Sequence, residues 1–216
     1  MLVTSGNHRI RNIGLLGAPL ASALAFPVVA LVTTACVRDP LPSACPKLAA
    51  GDLVVTEIRG AQAGSYRQWI EIYNTTDADI PVAGLRITLT QFDGDGSQTF
   101  VVRDEVLELA PGEYLVLGSG DPATLDYIDY DFSADQPSDL YAGATLELRS
   151  CATLIDTLIY TLPDEGTLAL DGAITPSAAA NDDSKAGWCI DDRASEGPQT
   201  QIGIRGTPGG QNPPCP

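Results

Sequence analysis

From Asp52 onward the chain is made of short runs in which apolar and polar residues alternate, each closed by a turn signal. A period of two is the mark of half-buried strands. Residues 53–58 (LVVTEI) form the first run. Residues 68–73 alternate strictly, with Trp69, Glu71 and Tyr73 on one face and Ile70 and Ile72 on the other. In residues 85–89, Leu85, Ile87 and Leu89 share the face expected to turn inward. Further runs follow at 99–102, 106–109, 114–118, 146–149, 154–160 and 168–170. The last two long runs read as a hairpin with Cys151 near its bend. Asn74 to Asp77, Asp93 to Gly96, and Pro111 with Gly112 read as turns. Residues 121–139 are acidic and aromatic without a period, and read as a long loop. No segment sustains a 3.6-residue period. Short strands at this spacing predict an all-β fold, a sandwich of two sheets.

The start of the chain follows a different pattern. Residues 1–12 are polar and carry His8, Arg9 and Arg11, and no charged residue occurs from Ile13 to Ala35. A positive region, an apolar region and a small-residue exit are the layout of a secretory signal. The exit, Val32-Thr33-Thr34-Ala35-Cys36, resembles the lipobox of bacterial lipoproteins, with Thr33 standing where that family prefers an aliphatic residue. The resemblance implies a lipid on Cys36. Cysteine count agrees: of five cysteines, setting Cys36 aside leaves Cys45, Cys151, Cys189 and Cys215, an even set suited to two disulfides in an exported chain. The other readings are a plain secreted chain with a spare thiol and a retained N-terminal anchor. The expected organisation is a signal peptide over 1–35, a proline-rich tether over 36–50 and one domain over 51–216. Val37 is not the Asp that retains some lipoproteins at the inner membrane, which favours the outer one.

The order of motifs in that domain resembles the lamin tail domain of exported bacterial proteins. The pieces are 53–57 (LVVTE), 69–74 (WIEIYN), 79–85 (DIPVAGL), 109–117 (LAPGEYLVL), 146–148, 155–160 (IDTLIY), 181–189 (NDDSKAGWC) and 206–212 (GTPGGQN). The resemblance implies an immunoglobulin-like β-sandwich after the N-terminal signal segment, and no single activity. Trp69 and Tyr73 are then expected to fill the space between the two sheets. Four cysteines allow three pairings. Cys151–Cys189 with Cys45–Cys215 is favoured, because Cys45 and Cys215 both lie near domain ends.

Charge narrows the chemistry. The chain carries 12 basic and 28 acidic residues, a formal −16. Cleavage before Cys36 removes Arg9 and Arg11 and no acid, taking the charge to −18. Such a surface repels nucleic acid, and favours basic partners or divalent cations. The one histidine, His8, leaves with the signal, which excludes histidine-based triads and metal sites from the mature chain. Asp93 and Asp95 alternate with glycines as calcium ligands do, and Asp126, Asp129, Asp131 and Asp135 crowd the long loop. Asp182, Asp183, Asp191 and Asp192 flank Trp188, which is expected to pack beside a disulfide. Solvated surface is the ordinary role of such acids. Three functions remain: a non-enzymatic interaction or structural module at the envelope, meeting an extracellular protein or polysaccharide through loops 121–143 and 176–205; a calcium-dependent adhesion or matrix-binding module; and a hydrolase using paired carboxylates. A nuclear role is not inherited, because the chain has no coiled-coil rod.

Overall fold

The computed structural model describes residues 40–42, 45–63, 67–136, 138–182, 187–194 and 203–216, all within the unit Arg38–Pro216. The proposed signal segment and Cys36 lie outside the described residues. Alternation becomes strand where it was expected. β1 (Leu53–Arg59), β2 (Trp69–Asn74), β4 (Leu85–Gln91), β5 (Ser97–Val101), β7 (Tyr114–Gly118), β9 (Gly143–Ser150), β10 (Thr153–Thr161) and β11 (Thr167–Leu170) correspond to the runs above. The run at 106–109 contributes only β6 (Glu108–Leu109), which pairs with the two-residue β3 (Ile80–Pro81). Three strands and a helical turn lie outside the predicted runs: β3, β8 (Tyr130–Asp131), β12 (Trp188–Asp191) and α1 (Ala178–Asn181).

Six strands form one sheet in the order β12-β11-β1-β2-β7-β8, antiparallel except for the β7–β8 pair. Four form the other, β10-β9-β4-β5, antiparallel throughout. One apolar core draws on both: Leu53, Val55, Ile58, Ile70 and Ile72 from the first sheet, and Leu85, Ile87, Leu89, Leu146 and Leu148 from the second. The chain is therefore a β-sandwich, and inward-facing Leu85, Ile87 and Leu89 stand as the alternation required. Trp188 packs against the same core and donates from Nε1 to the Asn181 carbonyl at 3.2 Å.

Asp156 joins the sheets at one edge. β1 has a bulge between Val55 and Glu57, and β10 has one between Leu154 and Asp156. Bulges free backbone groups from the ladder. Asp156 Oδ2 accepts the Val55 N–H at 2.8 Å and the Asn181 side-chain amide at 2.6 Å, and that same amide donates to the Val55 carbonyl at 3.2 Å. Burial pushes the Asp156 pKa up to about 6. Replacing Asp156 with Ala would leave the buried Val55 N–H unsatisfied and the Asn181 amide with only its bond to the Val55 carbonyl. The expected result is a loss of about 1–3 kcal/mol in urea unfolding; an unchanged midpoint would show that this link carries no stability.

The disulfides depart from the favoured pairing. Cys45 joins Cys151, with Cα atoms 5.7 Å apart, and Cys189 joins Cys215, at 5.8 Å. The reason lies in which strands the ends meet. The segment before β1 runs beside the β9–β10 bend, where Ser150 Oγ donates to the Pro46 carbonyl and Gly51 N–H donates to the Ile155 carbonyl at 2.8 Å. The C-terminal segment returns to the β11–β12 edge, where Cys215 N–H donates to Asp171 at 3.1 Å. The two ends are thus each stapled to a neighbouring strand and not to one another.

Candidate functional site

The face of the six-stranded sheet turned away from the core carries an unusual set of side chains. β2 alternates as read, so Ile70 and Ile72 enter the core while Trp69, Glu71 and Tyr73 lie on the outer side. This corrects the expectation that Trp69 and Tyr73 fill the space between the sheets. Trp69 is fully buried, but in a second apolar cluster with Val116, Tyr127, Ile128 and Ile204 on the outer face. Tyr73 is only half-buried. What keeps Trp69 dry is chain from elsewhere: Tyr127 and Ile128 from the segment after β7, and Ile204 from the C-terminal region.

The β1 bulge supplies the partner of Glu71. Uninterrupted alternation from Leu53 would place Glu57 beside Leu53 and Val55 in the core. The extra residue returns Ile58 to the core and turns Glu57 outward, directly across from Glu71 in the β1–β2 ladder. Two carboxylates thus face each other, and neither is exposed at all. Residues 206–212 roof them. Glu57 accepts the Trp69 indole N–H at 2.8 Å and the Thr207 backbone N–H at 3.0 Å. Glu71 accepts the Thr56 hydroxyl at 2.7 Å and the Gly209 N–H at 2.8 Å. Asn212 donates to the Thr56 carbonyl at 2.9 Å, at the residue that has no partner in the β1–β2 register. Gly206 is obligatory at its place: its φ is +127°, and a Cβ there would lie 2.9 Å from Glu57 Oε1. The guanidinium of Arg59 sits 5.3 Å from the Trp69 ring centre and donates to the Arg205 carbonyl at 3.1 Å.

Burial dominates the electrostatics. It pushes the Glu57 pKa up to about 7, with Asp191 adding to the rise and the Thr207 and Trp69 donors opposing it. Burial and then the charge of Glu57 push Glu71 well above the ordinary carboxylate range. The geometry assigns the proton. Both Glu57 oxygens face N–H donors, which suits the ionised form. Glu71 faces a hydroxyl able to accept as well as donate, which suits the neutral form. Roofed on one side and backed by the sheet on the other, this pair is closed to substrate.

Beside the roof the same face opens into a groove. Tyr73 and Tyr114 are register partners across β2 and β7, their ring centres 4.9 Å apart and their planes at 51°. With Gly172, Ile174, Thr175 and Gln211 they line a cavity of about 290 Å³. The Gln211 side-chain amide donates to the Gly172 carbonyl at 2.7 Å, and the Gly172 N–H donates to the Pro213 carbonyl at 3.2 Å. The tail forming this wall is the one clipped by Cys189–Cys215. Burial first, then Glu71 and Tyr73, push the Tyr114 pKa up to about 12.

The other candidates fall in different places. Asp93 and Asp95 stand in the β4–β5 turn, both exposed, with Asp93 Oδ1 accepting the Asp95 N–H at 3.0 Å. In the long loop, Asp129 accepts the Val116 N–H at 2.7 Å, Asp131 the Gly120 N–H at 3.1 Å, and Asp135 the Val101 N–H at 2.9 Å. These acids latch the segment to the edges of both sheets. The segment also buries Tyr127, Ile128, Phe132 and Leu140, so much of 121–143 is packed chain. No group of three or more His, Cys, Asp or Glu suited to a metal ion occurs among the described residues. Of the second expected binding loop, 176–205, residues 183–186 and 195–202 lie outside the described residues, and Asp183 with them. Asn74 closes its turn, its amide donating to the Ala78 and Leu109 carbonyls at 2.8 and 2.9 Å. Among the described residues no helix is long and apolar enough to cross a membrane.

The carboxylate pair was missed in the sequence, although a signal was present: Glu71 stands between two isoleucines and shares its strand face with two aromatics. The family model of the lamin tail domain matches residues 46–171, more than half of the chain. The motifs at 181–189 and 206–212, counted above in the resemblance, lie beyond the matched stretch. No curated protein matches the chain significantly.

Proposed function

The chain belongs to the lamin tail domain family, and on that premise we propose that it is a non-enzymatic interaction module displayed at the bacterial cell envelope, held there by lipid on Cys36. The observation that carries this reading is the pair of disulfides, one at each end of the domain. Disulfides persist in oxidising compartments, which supports an extracellular or periplasmic setting. The family is a structural and interaction module, and the sealed Glu57–Glu71 pair fits that role: the closest approach to an acid–base constellation in the described residues is spent on holding the roof.

The test is the intact mass of the protein from the membrane fraction of its native host. The expected mass is that of residues 36–216 with acyl groups, less four protons. An unlipidated mature mass in the medium would replace the anchor with plain secretion, and a full-length mass would mean that the apolar segment is retained.

A further inference from the structure

We propose that the groove between Tyr73 and Tyr114 is a binding site for a neutral sugar ring of a polysaccharide. The inference rests on the reading of the chain as an interaction module, and is independent of how the chain is anchored.

Three features of the groove point to that chemistry. The first is charge. None of the residues lining it is ionised, in a chain whose formal charge is −16. Of the two phenols on the wall, that of Tyr114 is pushed by burial up to about 12. A site for a cation would use the acids that abound elsewhere, and a site for an anion would need a base. The second is the rings. Two half-buried tyrosines on adjacent strands, tilted at 51°, offer a bent apolar platform. The C–H face of a pyranose is flat and apolar, while its rim is all hydroxyl. Apolar rings with a few placed polar groups are how a small site fixes such a ligand. The third is the polar rim. Among the described residues the hydroxyls of Tyr73 and Tyr114 have no hydrogen-bond partner, and Thr175 adds a third hydroxyl. A hydroxyl both donates and accepts, which matches the hydroxyls of a sugar. A proline-rich peptide, the other ligand that aromatic grooves take, offers mainly carbonyl acceptors and leaves half of that capacity unused.

Size and stiffness agree. A cavity of about 290 Å³ lies at the small end of ligand sites, suited to one ring at a time along a chain. Its walls are two sheet strands and a tail fixed by Cys189–Cys215. Little ordering is then left to be done on binding.

The experiment is affinity electrophoresis of the full chain through native gels containing dextran, soluble starch, mannan, galactomannan or hydroxyethyl cellulose. The expected result is retardation by at least one of the five. Tyr114→Ala should weaken it by about tenfold, the effect of a lost stacking ring and hydroxyl. The double variant Tyr73→Phe/Tyr114→Phe keeps both rings, and should weaken binding while leaving the melting temperature unchanged. This separates a binding role from a structural one. Retardation by none of the five, or equal retardation of wild type and both variants, overturns the proposal. So does retardation that soluble poly-proline abolishes and free oligosaccharide does not, which would make the groove a peptide site. A lipidated chain that binds no polysaccharide would remove the sugar site and leave the envelope reading standing; a secreted, unlipidated chain that binds would do the reverse.

Discussion

Replacing Trp69 with Ala is expected to destabilise the domain by about 3–5 kcal/mol, the usual cost of removing a buried aromatic. The ring is fully buried and does three things at once. It fills the outer apolar cluster, meeting Tyr127 edge-on at 5.8 Å. It backs the Arg59 guanidinium at 5.3 Å. Its N–H occupies one oxygen of Glu57 at 2.8 Å. The Ala variant therefore leaves both a cavity and a buried carboxylate short of a donor. For a domain of this size the melting temperature should fall by roughly 6–20 °C. Trp69→Phe restores most of the packing but not the N–H, so about 1–2 kcal/mol should remain lost. Thermal and urea unfolding of the oxidised protein, followed by circular dichroism, reads both. An unchanged melting temperature for the Ala variant would contradict the buried position.

The domain is also expected to lose stability as pH rises from about 5 to 8. A carboxyl whose folded pKa lies above its unfolded value of 4.5 binds its proton more tightly in the folded state. The stability this gives is complete below pH 4.5 and is lost as pH rises through the folded value, about 7 for Glu57. A shift of that size corresponds to on the order of 3 kcal/mol. Asp156, pushed up to about 6, acts in the same direction. The charged groups nearest the pair do not reverse it: Asp191 on β12 adds to the rise at Glu57, and Arg59 is engaged by the Arg205 carbonyl. Glu71→Gln should flatten the profile and raise stability at pH 8. Its carbonyl still accepts the Gly209 N–H and its amide donates to Thr56. Glu57→Gln should be harmful at every pH, because both of its oxygens face N–H donors and the new amide would meet one of them. Urea midpoints between pH 5 and 8 distinguish these outcomes, and a flat or rising wild-type profile would sink the argument.

Most of the sandwich was legible because its strands are amphipathic. β4 and β9 alternate cleanly, and in β4 the inward residues Leu85, Ile87 and Leu89 are those the pattern chose. β2 shows the limit of that reading. The two faces were separated correctly, but which face meets the other sheet depends on residues distant in sequence, Tyr127, Ile128 and Ile204, that cover the outer side. β1 shows another limit. A bulge at Thr56 reverses the alternation, and nothing in residues 53–58 marks it. β8 is two residues inside an acidic stretch, and α1 is a four-residue turn, both below the length at which a period can be seen. The disulfide pairing depended on which strand each chain end runs beside, a property of the assembled sheets.

Glu57 and Glu71 are capped by residues 150 and 138 positions further along the chain. A chain made from its N-terminus therefore carries β1 and β2 for most of its synthesis without those amides. In that interval both glutamates are solvated and, near neutral pH, ionised. A charge on a strand's face is one device that keeps an unfinished strand from pairing with a stranger. LVVTEIR and WIEIYN are otherwise apolar enough to stick to another nascent copy. The same two carboxylates that burden the finished fold at alkaline pH thus act as a guard on the growing one, dismissed only when the roof arrives.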